Sequence, residues 1–83
     1  MTCIATSFSH FGAIRFKQLC GSRGWKARLM PVPRTLSSSC GTCVQFECSA
    51  PEFCPSPEVP EEIEQIVEVL PDSYRELYRA EEI

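Results

Sequence analysis

The fold is decided by the stretch CIATSFSHFGAIRFKQLCG, which spans residues 3 to 21. Its beginning, residues 3 to 8, is short, partly β-branched and followed by a serine, which is typical of a strand. Beyond that point apolar residues recur at helical spacing, with serines at positions 7 and 9 able to cap the helix and glycines at 21 and 24 able to end it. The stretch therefore predicts a strand followed by a helix, with Cys20 on the packed side.

Two further strands follow the predicted helix. Residues 25 to 32, WKARLMPV, alternate between two faces as a strand with one solvated side does, and prolines end the run. Residues 33 to 39 have turn-forming side chains without a period and predict a loop. Residues 43 to 48, CVQFEC, alternate again, and the inward face holds Val44, Phe46 and Cys48.

The second half of the chain is predicted to contain a helix and a final strand. Residues 49 to 60 hold four of the seven prolines and are interpreted as a connection. From position 63, apolar side chains occupy i, i+3, i+4 and i+7 between glutamates, which predicts an amphipathic helix. These apolar residues are Ile63, Ile66, Val67 and Leu70. Residues 73 to 83 fit either a helix or a strand, and we expect a strand because it would cover an open sheet edge.

These elements predict an α+β fold, a ferredoxin-like βαββαβ sandwich that forms a single domain over residues 1 to 83. A chain of this length builds one modest core. No apolar run approaches the ~20 residues that a membrane-spanning helix needs, and the first residues lack the pattern of an export signal. We therefore expect a cytoplasmic protein without a membrane partner.

Charge is distributed unevenly along the chain. Residues 1 to 46 contain basic side chains and no acid, whereas all eleven acids lie from Glu47 onward. Such asymmetry can mark a surface for polyanions, but the basic residues form no block and no aromatic-basic RNA motif is present. We expect no nucleic-acid partner, since the two halves can neutralise each other in the folded domain.

The six cysteines are the main chemical feature of the chain. In a reducing cytoplasm they are better interpreted as reactive or metal-binding thiols than as disulfides. The segment Ser39-Cys40-Gly41-Thr42-Cys43 contains a C-x-x-C spacing, in which two thiols can reach each other or bind one metal. The serines and glycine around Cys40 predict an exposed loop, whereas Cys43 begins a strand and can be a small buried hydrophobe.

Cations near Cys40 would favour its thiolate form. Arg34 lies in the same loop, and Lys26 and Arg28 lie on the preceding strand, so the sequence predicts an electropositive setting. Arg34 can instead be an ordinary solvated residue. His10, the only histidine, is either a base for Cys40 or a residue that serves the start of the helix.

A metal site is a further alternative. Four thiols equal the number of ligands that tetrahedral zinc prefers. The candidates are Cys40, Cys43, Cys48 and Cys54. Only one close pair exists among them, whereas structural zinc sites normally have two, so we predict neither a bound metal nor a cofactor. Cys3 and Cys20 are interpreted as core residues.

Two motifs give the chain a family resemblance: LMPVPR at residues 29 to 34 and SSCG at residues 38 to 41. With these motifs, and with a serine and histidine before the first helix, most of the chain resembles the putative selenium/sulfur carrier protein-like family. The resemblance implies that Cys40 is the motif cysteine of that family and Arg34 its motif arginine. It also implies a compact sheet-and-helix domain and supports a final strand.

The resulting hypothesis is a carrier rather than an enzyme. Cys40 accepts sulfur or selenium from a cysteine desulfurase-like donor as a persulfide or selenopersulfide and passes it to an acceptor protein. An alternative from the enzyme class is a small thiol-disulfide oxidoreductase that uses Cys40 and Cys43, and a Cys-ligated metal-binding module is a third interpretation. The site residues predicted from the sequence are Cys40, Cys43 and Arg34.

Overall fold

One helix packs on one face of a five-stranded antiparallel sheet in the computed structural model, which describes residues 2–36, 41–47 and 62–80. The elements are, in chain order, β1 (Thr2–Ser7), α1 (His10–Ser22), β2 (Ala27–Pro31), β3 (Thr42–Glu47), β4 (Ile63–Val69) and β5 (Tyr74–Arg79). The strands lie in the order β2-β3-β1-β4-β5. Within the described ranges no helix is long and apolar enough to span a membrane.

β1 is the central strand of the sheet, and its side chains contribute to a core on each of the two faces. It pairs with β3 on one side and β4 on the other, and its side chains alternate between the two faces of the sheet. Cys3 and Ala5 face α1 in the larger, helix-side core. Ile4 points to the opposite face and forms a second core with Cys43 and Val67.

The start of α1 is fixed by serines, as the sequence predicts. The Ser9 hydroxyl accepts a hydrogen bond from the Gly12 amide at 3.1 Å, and the Ser7 hydroxyl donates to the Ser9 carbonyl oxygen at 2.7 Å. Gly12 lies so close to Glu62, just before β4, that a Cβ at position 12 would overlap the Glu62 Cβ. The turn between β1 and α1 is therefore held tightly against the start of β4.

The elements predicted for the first half of the chain are confirmed, but the expected solvated side of the second strand is not, because Met30 on that side packs on the second core. The first strand, the helix and the two following strands form where the periodicity indicates, and Cys20 is buried on the packed side of α1. Phe46 faces inward, where the Trp25 ring stacks on it with centroids 5.9 Å apart. The predicted connection over residues 49 to 60 and the inward position of Cys48 lie outside the described residues.

The predicted helix after position 60 is wrong, because Ile63–Val69 is the strand β4. The residues on either side of Glu64 pair with two consecutive residues of β1, so Glu64 is the extra residue of a β-bulge. This bulge brings Ile63 onto the same face as Ile66, three positions later, which imitates a helical spacing. The β-branched side chains of the segment favour the extended conformation.

The α+β class is confirmed, but the ferredoxin-like βαββαβ arrangement is not. Across the described residues the elements follow the order βαββββ, since the segment predicted as a second helix is a strand. The final segment forms the expected strand: β5 pairs antiparallel with β4 and covers its edge. The last two strands are thus a hairpin at one side of the sheet.

Candidate functional site

The residues that follow Cys40 are anchored to β2, although Cys40 itself lies outside the described residues. The Gly41 carbonyl oxygen accepts a hydrogen bond from the Val32 amide at 3.1 Å, and Thr42 pairs with Pro31. Gly41 is also exposed. Cys40 therefore directly precedes a residue, Gly41, that is hydrogen-bonded to the end of β2 and exposed to solvent.

His10 lies beside the same end of β3. It is the exposed first residue of α1, and its Nδ1 is 3.2 Å from the hydroxyl oxygen of Thr42. Ser9 already caps the helix, so His10 is not needed for capping. The structure thus brings the imidazole to a residue two positions from Cys40, and its role as a base for that thiol stays a prediction.

The three cations expected near Cys40 do not lie together. Arg34 is exposed in the turn after β2, and no carboxylate in the described part of the chain pairs with it. Arg28 is opposite Gln45, three positions along β3 from Thr42, which is about 10 Å at the rise of a strand. Lys26 lies still further away, because β2 and β3 are antiparallel. Of these three cations, Arg34 alone remains a candidate for an electropositive setting at Cys40.

Cys43 is buried in the second core, on the face of the sheet that is opposite to α1. Its side chain is 0% exposed, and its Sγ donates a weak hydrogen bond to the Pro31 carbonyl oxygen at 3.7 Å. Burial raises the pKa of the Cys43 thiol from its ordinary 9.0 to about 11. In this arrangement Cys43 supplies very little thiolate at neutral pH.

The remaining thiols divide between the core and the part of the chain that is not described. Cys3 and Cys20 are buried in the helix-side core, which confirms their predicted place. Cys48 and Cys54 lie outside the described residues, as does Cys40. Among the residues that are described, no group of three or more histidine, cysteine or acidic side chains could hold a metal ion.

A hydrogen bond that the sequence does not reveal joins the loop after β2 to the last hairpin. The Thr35 hydroxyl donates to the Tyr74 hydroxyl oxygen at 3.0 Å. Val32 and Leu36 on either side of Thr35 pack against the second core. The apolar character of these two residues was a sequence signal for the packing of the loop, but not for the hydrogen bond between Thr35 and Tyr74.

Comparison with known families supplies the decisive observation. Residues 2–79 match the model of the family described as putative Se/S carrier protein-like. The chain belongs to this family. The match to the Se/S carrier-like family runs from β1 to the end of β5 and includes all three predicted site residues, Arg34, Cys40 and Cys43. Searches of curated proteins and of solved structures found no match.

Proposed function

We propose that this protein carries sulfur or selenium on the Cys40 thiol, as a persulfide or selenopersulfide, between a donor enzyme and an acceptor protein. Membership of the Se/S carrier-like family supports the cargo. The structural observation that carries the proposal is the burial of Cys43, next to the exposure of Gly41 beside Cys40. A carrier needs one reactive thiol of the C-x-x-C, whereas a dithiol oxidoreductase needs both cysteines to react.

The loading step in this proposal is an exchange between a thiol and a persulfide. The Cys40 thiolate attacks the outer sulfur of the donor's persulfide, and a new S–S bond forms. The S–S bond of the donor breaks, and its electron pair stays on the donor cysteine, which leaves as a thiolate. The acceptor thiolate then repeats the same step on Cys40. There is no net oxidation, so the exchange needs no cofactor.

Arg34 is the residue we expect to favour the attacking thiolate. It belongs to the same loop as Cys40, it is exposed, and it has no carboxylate partner among the described residues. A nearby guanidinium stabilises a thiolate and so increases the reactive fraction of the thiol. The reducing cytoplasm, which keeps donor and acceptor thiols free, is the compartment that suits such a carrier.

Site-resolved mass spectrometry tests this proposal. The full chain is incubated with a cysteine desulfurase and cysteine, or selenocysteine for the selenium form, and its peptides are analysed for a transferred atom. We expect loading at Cys40, none in Cys40→Ser, and slower loading in Arg34→Gln, while Cys48→Ser as the matched thiol control loads normally. An unmodified Cys40 beside a loaded reference carrier would reject the proposal for that donor.

A fourth variant, Cys43→Ser, distinguishes the carrier from the oxidoreductase alternative. A dithiol mechanism requires a Cys40–Cys43 disulfide, so Cys43→Ser would abolish redox activity while leaving a simple carrier unaffected. Because Cys43 is buried and its pKa is raised, we expect Cys43→Ser to load with sulfur as the unmodified chain does.

A further inference from the structure

Residues Val32–Leu36 lie across the face of the sheet that is opposite to α1, and we call them the strap. Val32 and Leu36 pack on the second core, which contains Cys43. Its first residue is held by the hydrogen bond from the Val32 amide to the Gly41 carbonyl oxygen, and a hydrogen bond from the Leu36 amide to the Pro33 carbonyl oxygen at 3.0 Å closes a turn within the strap. Met30 of β2 is paired directly with Cys43, and Tyr74 of β5 packs on the same second core.

The strap is a thin cover. None of its residues is fully buried, and Arg34 and Thr35 at its middle are exposed. The hydrogen bond from Thr35 to Tyr74 links its middle to the last hairpin at the surface. An open cleft of about 410 Å³ adjoins this link and the turn between β4 and β5. Local openings of such lightly packed segments need less free energy than global unfolding.

An uncovered Cys43 would be harmful to a carrier. If its thiolate attacked the inner sulfur of a persulfide on Cys40, a Cys40–Cys43 disulfide would form and the outer sulfur would leave as hydrosulfide with the bonding electron pair. The persulfide supplies the oxidising equivalent, so the step is balanced without another oxidant. The cargo would be lost before it reached an acceptor, and the C-x-x-C spacing makes this attack sterically accessible once Cys43 is free.

We propose that the strap Val32–Leu36 protects a persulfide on Cys40 by keeping Cys43 covered, so that the second cysteine of the C-x-x-C is silent until the strap opens. This inference rests on the proposed carrier function and adds a means by which cargo is retained or released. A partner that displaces the strap from Tyr74 would trigger release as sulfide. Burial also acts on the thiol itself, since a pKa of about 11 in place of 9.0 makes the thiolate fraction at neutral pH about a hundredfold smaller.

The first test measures the cover alone and needs no cargo. Site-resolved alkylation of the native chain by iodoacetamide reports how often Cys43 becomes accessible. Leu36→Ala removes a side chain from the strap, and Leu77→Ala removes an equal side chain that packs on the helix-side core instead. We expect Cys43 alkylation to rise roughly tenfold in Leu36→Ala relative to Leu77→Ala. Equal rates of Cys43 alkylation in the two variants would contradict the proposal that the strap covers Cys43.

The surface link has its own pair of variants. Thr35→Val keeps the size of the side chain and removes the donor, and Tyr74→Phe removes the acceptor of the same 3.0 Å hydrogen bond. We expect each to raise Cys43 alkylation by a few-fold, and the double variant to add little, because both changes delete one bond. Additive effects of the two changes would show that this bond does not hold the strap.

The second test measures retention of cargo. The chain is loaded chemically with inorganic polysulfide, excess reagent is removed, and hydrosulfide release is followed over time. We expect faster release from Leu36→Ala than from Leu77→Ala, and a return to the slow rate when Cys43→Ala is added to Leu36→Ala. Release that stays fast without Cys43 refutes the protective role. If Cys40 takes up no sulfur at all, the carrier proposal fails. The alkylation results still decide whether the strap covers Cys43.

Discussion

Gly12 is the position where one added methyl group should disturb the packing next to the candidate site. A Cβ at position 12 would overlap the Glu62 Cβ and lie 3.3 Å from the Glu62 Cγ and 3.4 Å from the Ser7 Cβ. These atoms lie close to the backbone, so none is the mobile end of a long side chain. We therefore expect Gly12→Ala to push the start of α1 away from β4.

The size of the effect follows from a comparison with Gly21→Ala in the same helix. At Gly21 an added Cβ meets nothing within 4 Å. Alanine is favoured over glycine in a helix by about 1 kcal/mol, whereas overpacking at Gly12 costs about 1–3 kcal/mol. The propensity gain is common to both, so Gly12→Ala should be less stable than Gly21→Ala by about 1–3 kcal/mol. For a domain of this size that difference lowers Tm by at least about 4 °C.

Urea unfolding followed by tryptophan fluorescence measures this difference. Trp25 is the only tryptophan and stacks on the buried Phe46, so its emission reports the helix-side core. His10 is the only histidine, and its NMR signals should shift in Gly12→Ala but not in Gly21→Ala. Equal unfolding midpoints and unchanged His10 signals in both variants would refute the close contact between α1 and Glu62.

Three further predictions concern the cap, the core and the buried thiol. Ser9→Ala should lower the free energy of unfolding by about 1 kcal/mol, because the Gly12 amide loses its acceptor. As a control, Ser22→Ala at the exposed end of α1 should change the free energy of unfolding in urea by less than about 0.5 kcal/mol. Phe46→Leu should cost roughly 0.5–1.5 kcal/mol for each lost aromatic contact and alter the emission of Trp25. Because burial raises the pKa of folded Cys43 from 9.0 to about 11, its contribution to stability is complete below pH 9 and is lost as the pH rises to about 11. Urea titrations should show a loss of roughly 2–3 kcal/mol over that window, which is absent in Cys43→Ala.

The first four elements could be predicted from the sequence because their signals are local. The serine cap of α1 needs only a hydroxyl and an amide three residues apart, and the structure has both. The alternation in β3 places Val44 and Phe46 on one face, and both were correctly predicted to point inward. In these segments local conformational preference and burial favour the same structure.

β4 could not be predicted from periodicity because a bulge alters the period. In a regular strand without the bulge at Glu64, Ile63 would point to the same face as Gln65, whereas the bulge places Ile63 on the face of Ile66. The β-branched residues were the signal that could have corrected the prediction, since isoleucine and valine favour strands over helices. A period of three or four is therefore weak evidence for a helix when most of its apolar members are β-branched.

The residues of the candidate site stay a prediction from the sequence, and the arrangement of the residues around them could not be predicted. The C-x-x-C and Arg34 are visible in the sequence, but the separation of Lys26 and Arg28 from the Cys40 end depends on the antiparallel register of β2 and β3. The link between Thr35 and Tyr74 joins residues 39 positions apart, and no local pattern encodes it. Pairings of this kind arise from the global topology alone.

The position at which β3 begins decides how the two cysteines can be used. Because the strand starts at Thr42, Cys43 is already paired with Met30 on one side and Thr6 on the other, and its side chain points into the second core. Its sulfur is buried in the second core, on which the strap packs, so an attack on a persulfide at Cys40 would first require the strap to open. A dithiol site needs its two sulfurs to meet in the resting fold, whereas a carrier needs them to stay apart. The register of β3 therefore supports the proposed carrier, because it directs position 43 into the second core. A change of side chain at position 43 would leave this backbone pairing intact.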